Sequence, residues 1–351
     1  MLSEKLGIRL RLPYALRRVD GRDFAGLMDL VGQPEAGDVA LVSIEKIARN
    51  SALETTDGRR SSLHVGDVAV AVFGNRYATL QFEGLALRDG NSCDLLSMGG
   101  MCGLVQSRHS AAGEPTKLKL LGGVTNRQGQ PVRLRDYYVR PANVATWPHI
   151  AVVCGSSMDA GKTHTAMSII RGLSSAGKKV AGIKLTGTAT GKDTWNMLDA
   201  GACVALDFID GGYPSTYLCS HEELLILHRR LVNHAAQTAN YVVIEIADGL
   251  LQRETAMLLR SPLFTETVDS WVFAGGDPMS AESGVRMMRQ CGLEPLAVSG
   301  ALTMSSLNMR EVEAATGMRC LKASELQSGA LNSEFDRDFA RDDVSELRKS
   351  A

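Results

Sequence analysis

Val152-Val153-Cys154-Gly155-Ser156-Ser157-Met158-Asp159-Ala160-Gly161-Lys162-Thr163 runs from an apolar stretch, through small and polar residues, into Lys-Thr at the head of a helical pattern. This is the arrangement of a P-loop. Successive backbone N–H groups in such a turn converge on phosphate oxygens, and the positive end of the following helix dipole adds to the attraction. The cradle expected here is Gly155, Ser156, Ser157, Met158, Asp159, Ala160, Gly161, Lys162 and Thr163, with His164 at its far end. Gly161 allows close backbone approach, Lys162 is expected at the exposed loop to neutralise the β and γ phosphates, and Thr163 offers a hydroxyl to Mg²⁺. One departure is visible. In G-x-x-x-x-G-K-T spacing the first position falls on Ser156, and the glycine stands one residue earlier, at Gly155.

Outward from this segment, apolar runs alternate with helical patterns. Ile150–Cys154 precedes a helix over about 161–176, and Val180–Leu185 precedes a short helix near 195–200. After Ala202–Phe208, Ser220-x-x-Glu223 reads as a capping box opening a helix with the stripe Leu224, Leu225, Leu227 and Leu231. Tyr241–Ile246 is the most apolar strand and belongs at the centre of a parallel sheet. Ser270–Ala274, Pro295–Ser299 and Met318–Leu321 complete the strand series, with helices over about 280–291 and 308–316. Such alternation implies right-handed βαβ units and an α/β, doubly wound, mostly parallel sheet.

Chemistry-bearing residues fall at the carboxyl ends of these strands, where α/β sheets bind ligands. Glu245 closes Tyr241-Val242-Val243-Ile244 and is placed to hold Mg²⁺ or its water. Asp248, three residues on, is the second choice, and Asp193 is a further metal candidate. The plainer reading of Asp248 is a helix cap. Lys184 closes Val180-Ala181-Gly182-Ile183 and points toward the ligand crevice. Two polar loops follow, Thr186–Thr194 and Asp207–Thr216. In them Thr186, Thr188, Asp207 and Asp210 are substrate candidates, although surface Thr and Asp are also common turn formers.

The first half has a different rhythm. Val39–Ile44, Val68–Phe73, Gly103–Val105 and Thr116–Leu120 are short β-type runs, and Asn126–Gln130 reads as a hairpin turn before Pro131–Leu134. With one helix expected over about 21–32, this half reads as a smaller β-rich barrel or sandwich. Asn75-Arg76-Tyr77 and Ser107-Arg108-His109 are its polar clusters, to be read as loop solvation or as substrate recognition. The expected division is 1–145 β-rich, 146–330 P-loop domain, with the change of rhythm at Pro141–Pro148, and 331–351 a charged tail.

Bulk properties set the class. The chain has 351 residues, 44% hydrophobic and 22% charged, with a formal net charge of −1, so no global basic field points to nucleic acid. Seven scattered cysteines never form C-x-x-C, which argues against a disulfide framework or zinc knuckle and for a reducing compartment. No run approaches the ~18 apolar residues of a membrane span, and the first residues lack the apolar core of a signal peptide. The expectation is a cytoplasmic protein with a small-molecule substrate, no nucleic-acid or membrane partner, and a homodimer as the assembly considered.

The order P-loop, then Ala181-Gly182-Ile183-Lys184, then Val243-Ile244-Glu245-Ile246-Ala247-Asp248-Gly249 resembles the dethiobiotin synthetase group of P-loop enzymes. That group has G-T-x-T-x-x-G-K-T, a lysine closing the second strand and a metal-binding glutamate in V-V-E-G-x-G. The resemblance spans roughly 150–300. It implicates Lys162, Lys184 and Glu245 in catalysis and Thr163 with Glu245 at the metal, with ATP and Mg²⁺ as cofactors. The implied reaction phosphorylates a carboxylate or carbamate of a small substrate to drive ligation or phosphoryl transfer. Gly187–Gly212 is also similar to a P-loop family containing D-amino-acid N-acetyltransferases. Two alternatives stay open, an acyl-CoA-dependent N-acyltransferase whose P-loop grips coenzyme A, and a nucleotide-driven adaptor or switch.

Overall fold

The computed structural model describes Leu2, Gly7, residues 10–140 and residues 146–339; Pro141, at the head of the expected boundary, and the tail past 339 lie outside them. The chain forms two compact units. The first takes in Met1–Val139 together with two later segments, Gly187–Lys192 and Phe208–Leu218. The second holds Arg140–Thr186, Asp193–Asp207 and Cys219–Ala351.

In the first unit, β1 (Gly26–Met28), β2 (Val39–Lys46), β5 (Val68–Phe73), β6 (Phe82–Leu85), β7 (Ser92–Leu95), β8 (Met101–Arg108) and β9 (Thr116–Thr125) share one sheet. Its pairings close on themselves: β9 with β2, β2 with β5, β5 with β8, β8 with β7, and β7 with β9. The result is a five-strand barrel, antiparallel except at β5–β8. Alternate residues fill it, Ala40, Val42 and Ile44 from β2 and Ala69, Ala71 and Phe73 from β5, as a two-residue period requires. A separate hairpin pairs β3 (Ala52–Glu54) with β4 (Arg60–Ser62).

The helix expected over 21–32 does not form. Asp20 caps a single 3-10 turn, Gly21–Asp23, and β1 then pairs antiparallel with β9. Gly21 and Gly26 weaken any helix here, and the edge of β9 offers ladder hydrogen bonds instead.

The second unit is a six-stranded parallel sheet in the order β12 (Val204–Asp207), β11 (Val180–Lys184), β13 (Tyr241–Glu245), β10 (His149–Gly155), β14 (Ser270–Ala274), β15 (Ala297–Ser299). Helices α1 (Lys162–Ser175), α2 (Lys192–Asp199), α3 (His221–Ala235), α4 (Arg253–Leu259), α5 (Pro262–Thr265), α6 (Pro278–Gln290), α7 (Ser306–Thr316), α8 (Ala323–Gln327) and α9 (Asn332–Phe339) complete it. The fold is α/β: a P-loop domain built on a parallel sheet, and a separate β-rich unit. The capping box forms as read, Ser220 accepting from Glu223 N and Glu223 accepting from Ser220 N. Ile169, Ile170 and Leu173 of α1 pack on Val153, Val243 and Val272, and Phe335 of α9 joins the same core with no exposed surface.

Met318–Leu321 is not a strand. It makes a single parallel bridge, Val298 to Cys320, because the left-handed cap Gly317 ends α7 just before it and α8 starts just after it.

Candidate functional site

β10 leads directly into the loop Ser156–Gly161 and α1. Gly155 is required where it stands: a Cβ there would lie 2.6 Å from the Ala274 carbonyl oxygen and 2.8 Å from Lys162 Cγ. Ser156 tolerates a side chain and uses it, its Oγ accepting from Gly276 N at 3.2 Å. The one-residue offset of the motif thus has a local cause. Gly161 takes φ 92°, the left-handed region that glycine enters at little cost, and starts α1. Asp159 also has positive φ, at 63°.

Lys162 was expected at an exposed loop. It is only 6% exposed, and its Nζ donates to the Ser157 carbonyl at 2.5 Å. Burial lowers its pKa, while Glu245 and Asp248 act in the opposite direction. The lysine folds back on its own loop because the backbone carbonyl is the acceptor within reach.

Thr163 donates its hydroxyl to Glu245 Oε1 at 2.8 Å, and Asp193 Oδ1 lies 3.5 Å from the same hydroxyl. The other Asp193 oxygen accepts from Lys184 Nζ in a half-buried ion pair. Sheet register explains the meeting: Lys184 stands opposite both Glu245 and Asp207, so the ends of three adjacent strands present their side chains together. Glu245 is 2% exposed, and among the described residues its Oε2 has no hydrogen-bond partner. An ionised carboxylate oxygen buried in that way is costly. A divalent cation beside it removes the cost, so Thr163, Glu245 and Asp193 fit Mg²⁺. No group of three or more His, Cys, Asp or Glu placed for a metal occurs among the described residues. Magnesium ordinarily takes one or two carboxylates and draws its other ligands from water and phosphate.

Asp248 follows β13 with φ 61°, a conformation uncommon for a residue with a Cβ. Burial raises its pKa, opposed by Lys162 and then Lys184. The next residue, Gly249, lies against the P-loop so closely that a Cβ would fall 2.2 Å from the Ser156 carbonyl oxygen.

The remaining sequence candidates separate. Thr186 accepts from Ala247 N at 2.8 Å, tying the end of β11 to the segment after β13. Asp207 is buried at the end of β12. Thr188 and Asp210 belong to the first unit, where Thr188 bridges Ser215 and Asp210 accepts from Arg17 at 2.5 Å. His164 is exposed on α1. Arg76, in one of the polar clusters, is buried and donates to the Leu96 carbonyl and to Gln81. Sequence reading missed the segments after β14 and β15, where Gly276 meets Ser156 and Ala301 N donates to the Ala160 carbonyl at 3.0 Å. Glycine directly after each strand, at Gly275 and Gly300, was the available signal.

The geometry is that of a parallel α/β sheet with a P-loop-type turn between β10 and α1. No protein-family model matches the chain, and no curated protein matches it by sequence. Among solved structures it is similar to the signal recognition particle 54 kDa protein from Aeropyrum pernix K1 in complex with GDP, with 18% identity, TM-score 0.37 and 59% of this chain covered. It is also similar to a duf1611 family protein from Anabaena variabilis, with 14% identity, TM-score 0.38 and 59% covered. The chain spans 50% of the first protein's length and 63% of the second's. None of the described helices is long and apolar enough to cross a membrane.

Proposed function

We propose that this protein is a Mg²⁺- and ATP-dependent enzyme of the dethiobiotin synthetase-like class, a ligase or phosphotransferase that phosphorylates a carboxylate or carbamate of a small substrate. The observation that carries this reading is the contiguous set Thr163, Glu245, Asp193 and Lys184. It joins a half-satisfied buried carboxylate to a cation at the edge of the same cradle. Nucleotide binding needs the P-loop and Lys162. A second lysine on neighbouring strand β11 is more than storage needs, and phosphoryl transfer depends largely on positioning and neutralising charge.

In this reading the P-loop amides and Lys162 grip the β and γ phosphates. Thr163 and Glu245 hold Mg²⁺, with Asp193 beside them and Asp248 as a further acid near the loop. Bound there, the ion neutralises charge on the phosphate oxygens. On this reading Lys184 would leave Asp193 for the migrating phosphoryl group. A nucleotide-driven switch is the second reading. It is favoured by one fact: the segments following β11 and β12 are integral to the other unit.

Thermal shift with ATP, GTP and acetyl-CoA, each with and without Mg²⁺, tests the proposal. A ligand at ~100 times its Kd adds about 2.7 kcal/mol of stability. The expected pattern is a Mg²⁺-enhanced response to ATP that Glu245→Gln retains only in its metal-independent part, with turnover reduced by orders of magnitude. A response to acetyl-CoA alone refutes it, as does full activity of Glu245→Gln.

A further inference from the structure

Where β13 ends, side chains take over from the sheet ladder in holding the backbone. Ile246 N still donates to the Val153 carbonyl at 3.0 Å, and Leu185 N donates to the Glu245 carbonyl at 2.9 Å. At Ala247 both backbone groups are met by threonines. Its N–H donates to Thr186 Oγ1 at 2.8 Å, and its carbonyl accepts from Thr255 Oγ1 at 3.1 Å. Both threonines are buried, Thr186 at 3% exposure and Thr255 at 1%. Buried backbone groups need such partners once a ladder stops. Thr186, Thr255 and residues 246–249 all belong to the second unit.

This clamp stands directly before the most constrained stretch of the segment. Asp248 takes φ 61°, a conformation that persists at a residue with a Cβ only where its surroundings impose it. Gly249 then runs against the P-loop, where a Cβ would meet the Ser156 carbonyl oxygen at 2.2 Å. Peptide units are planar. The two that flank Ala247 therefore fix where the Asp248 Cα lies and how its side chain leaves the backbone. Lys162 and Lys184 both act on the Asp248 charge, opposed by Glu254 and Glu245.

Resting on the function proposed above, we infer that Thr186 is a positioning residue: by accepting from Ala247 N it holds the Asp248 carboxylate in place for phosphoryl transfer. Its hydroxyl is committed to the backbone, and it touches no substrate. Its effect falls on the chemical step and not on the phosphate grip. The P-loop turn is held separately from β14 and the segments after β14 and β15, through Ala274, Gly276 and Ala301. A misplacement of ~1 Å at a reacting site can cost ~10²-fold in rate.

The test uses the full chain as wild type, Thr186→Val, Thr186→Ser, Asp248→Asn and the double variant Thr186→Val with Asp248→Asn. Three quantities are measured: kcat for turnover of Mg²⁺–ATP, the Kd for ATP in EDTA, and amide hydrogen exchange without ligand. Thr186→Val keeps the shape and removes the acceptor, so kcat should fall roughly 10- to 100-fold. The Kd should stay within about twofold, since Lys162 and the loop amides are untouched. Exchange should quicken across 246–250 but not across α1. Thr186→Ser keeps the acceptor and should restore most of kcat. In the Asp248→Asn background, adding Thr186→Val should change kcat by less than about twofold, because coupled residues are not additive. If Thr186→Val does not fold, Thr255→Val carries the same cycle from the carbonyl side of Ala247. Equal fractional losses of kcat in both backgrounds overturn the inference and leave a purely structural threonine. Wild-type kcat in Thr186→Val or in Asp248→Asn overturns it as well, leaving the proposed function intact. A wild-type chain that does not turn over Mg²⁺–ATP overturns that function and this inference with it.

Discussion

Lys184 and Asp193, nine residues apart in sequence, close on each other as an ion pair across the loop that leaves β11. The pair is half-buried, with side-chain exposures of 12% and 11%. It therefore keeps the Lys184 ammonium beside Asp193 at the end of β11. Removing one partner strands the other, whereas removing both does not. That asymmetry separates chemistry from architecture.

Lys184→Met keeps the stem volume and removes the charge. If Lys184 acts on the migrating phosphoryl group, kcat should fall ~10²-fold or more, the scale of losing one electrostatic stabiliser, with nucleotide affinity little changed. Melting temperature should drop modestly and recover in Lys184→Met with Asp193→Asn, while kcat should not recover. Unaltered kcat with lowered stability makes the lysine structural. Near-normal slow hydrolysis marks the switch instead.

Lys162→Met addresses the phosphate grip. The fold lowers the pKa of Lys162 from 10.5 through burial, so the folded state binds this proton more weakly than the unfolded chain does. The charged form therefore opposes folding at every pH below the folded value. The ligand-free variant should melt no lower than wild type at pH 7 and should lose the stabilisation that nucleotide gives. Wild-type affinity for ATP in this variant is incompatible with the phosphate-cradle assignment.

Asp248→Asn isolates a half-buried acid in a left-handed backbone conformation that asparagine also adopts. Burial raises the Asp248 pKa above 3.8, so the folded state binds this proton more tightly. Its contribution to stability is greatest below 3.8, falls as pH rises to the folded value, and stays reduced above it. The variant should melt higher than wild type at pH 7 and lose that part of the pH slope. A lower melting temperature at pH 7 would show that the carboxylate is compensated by a partner.

His228 sets an acid limit far from the site. Its Nε2 meets Thr267 Oγ1 at 2.9 Å, its ring stands edge-on to Phe264, and burial lowers its pKa from 6.5 to about 3. As pH falls below 6.5 the unfolded chain takes up a proton that the folded one refuses. Stability then declines by about 1.4 kcal/mol per pH unit until the folded value is reached. Urea midpoints of His228→Gln should fall less steeply between pH 6.5 and 4. Parallel slopes in the two proteins would assign the acid sensitivity to other groups.

Much of the second unit was legible because its signals are local. A P-loop joins one strand to one helix. Val243, Ile244 and their neighbours are apolar throughout because both faces of a central parallel strand are covered. The failures were equally physical. Residues 21–32 hold a helix-like spacing, yet the unpaired edge of β9 drew Gly26–Met28 into the sheet. Residues 318–321 look like a strand, but the caps of α7 and α8 leave room for one bridge.

By itself, the sequence determined the P-loop-type turn between β10 and α1, the parallel sheet behind it and the strand ends at which Lys184 and Glu245 stand. Each is set by neighbours a few residues away or by the side-chain period of a single element. Tertiary structure alone decided which of the many Asp and Glu residues meet. Register across β12, β11 and β13 put Lys184 opposite Glu245 and Asp207, and packing within the first unit made Glu54 the acceptor for Thr190 and Gly191. Pairing between distant segments depends on how whole elements pack. A carboxylate 137 residues from its partner leaves no periodic trace in the chain.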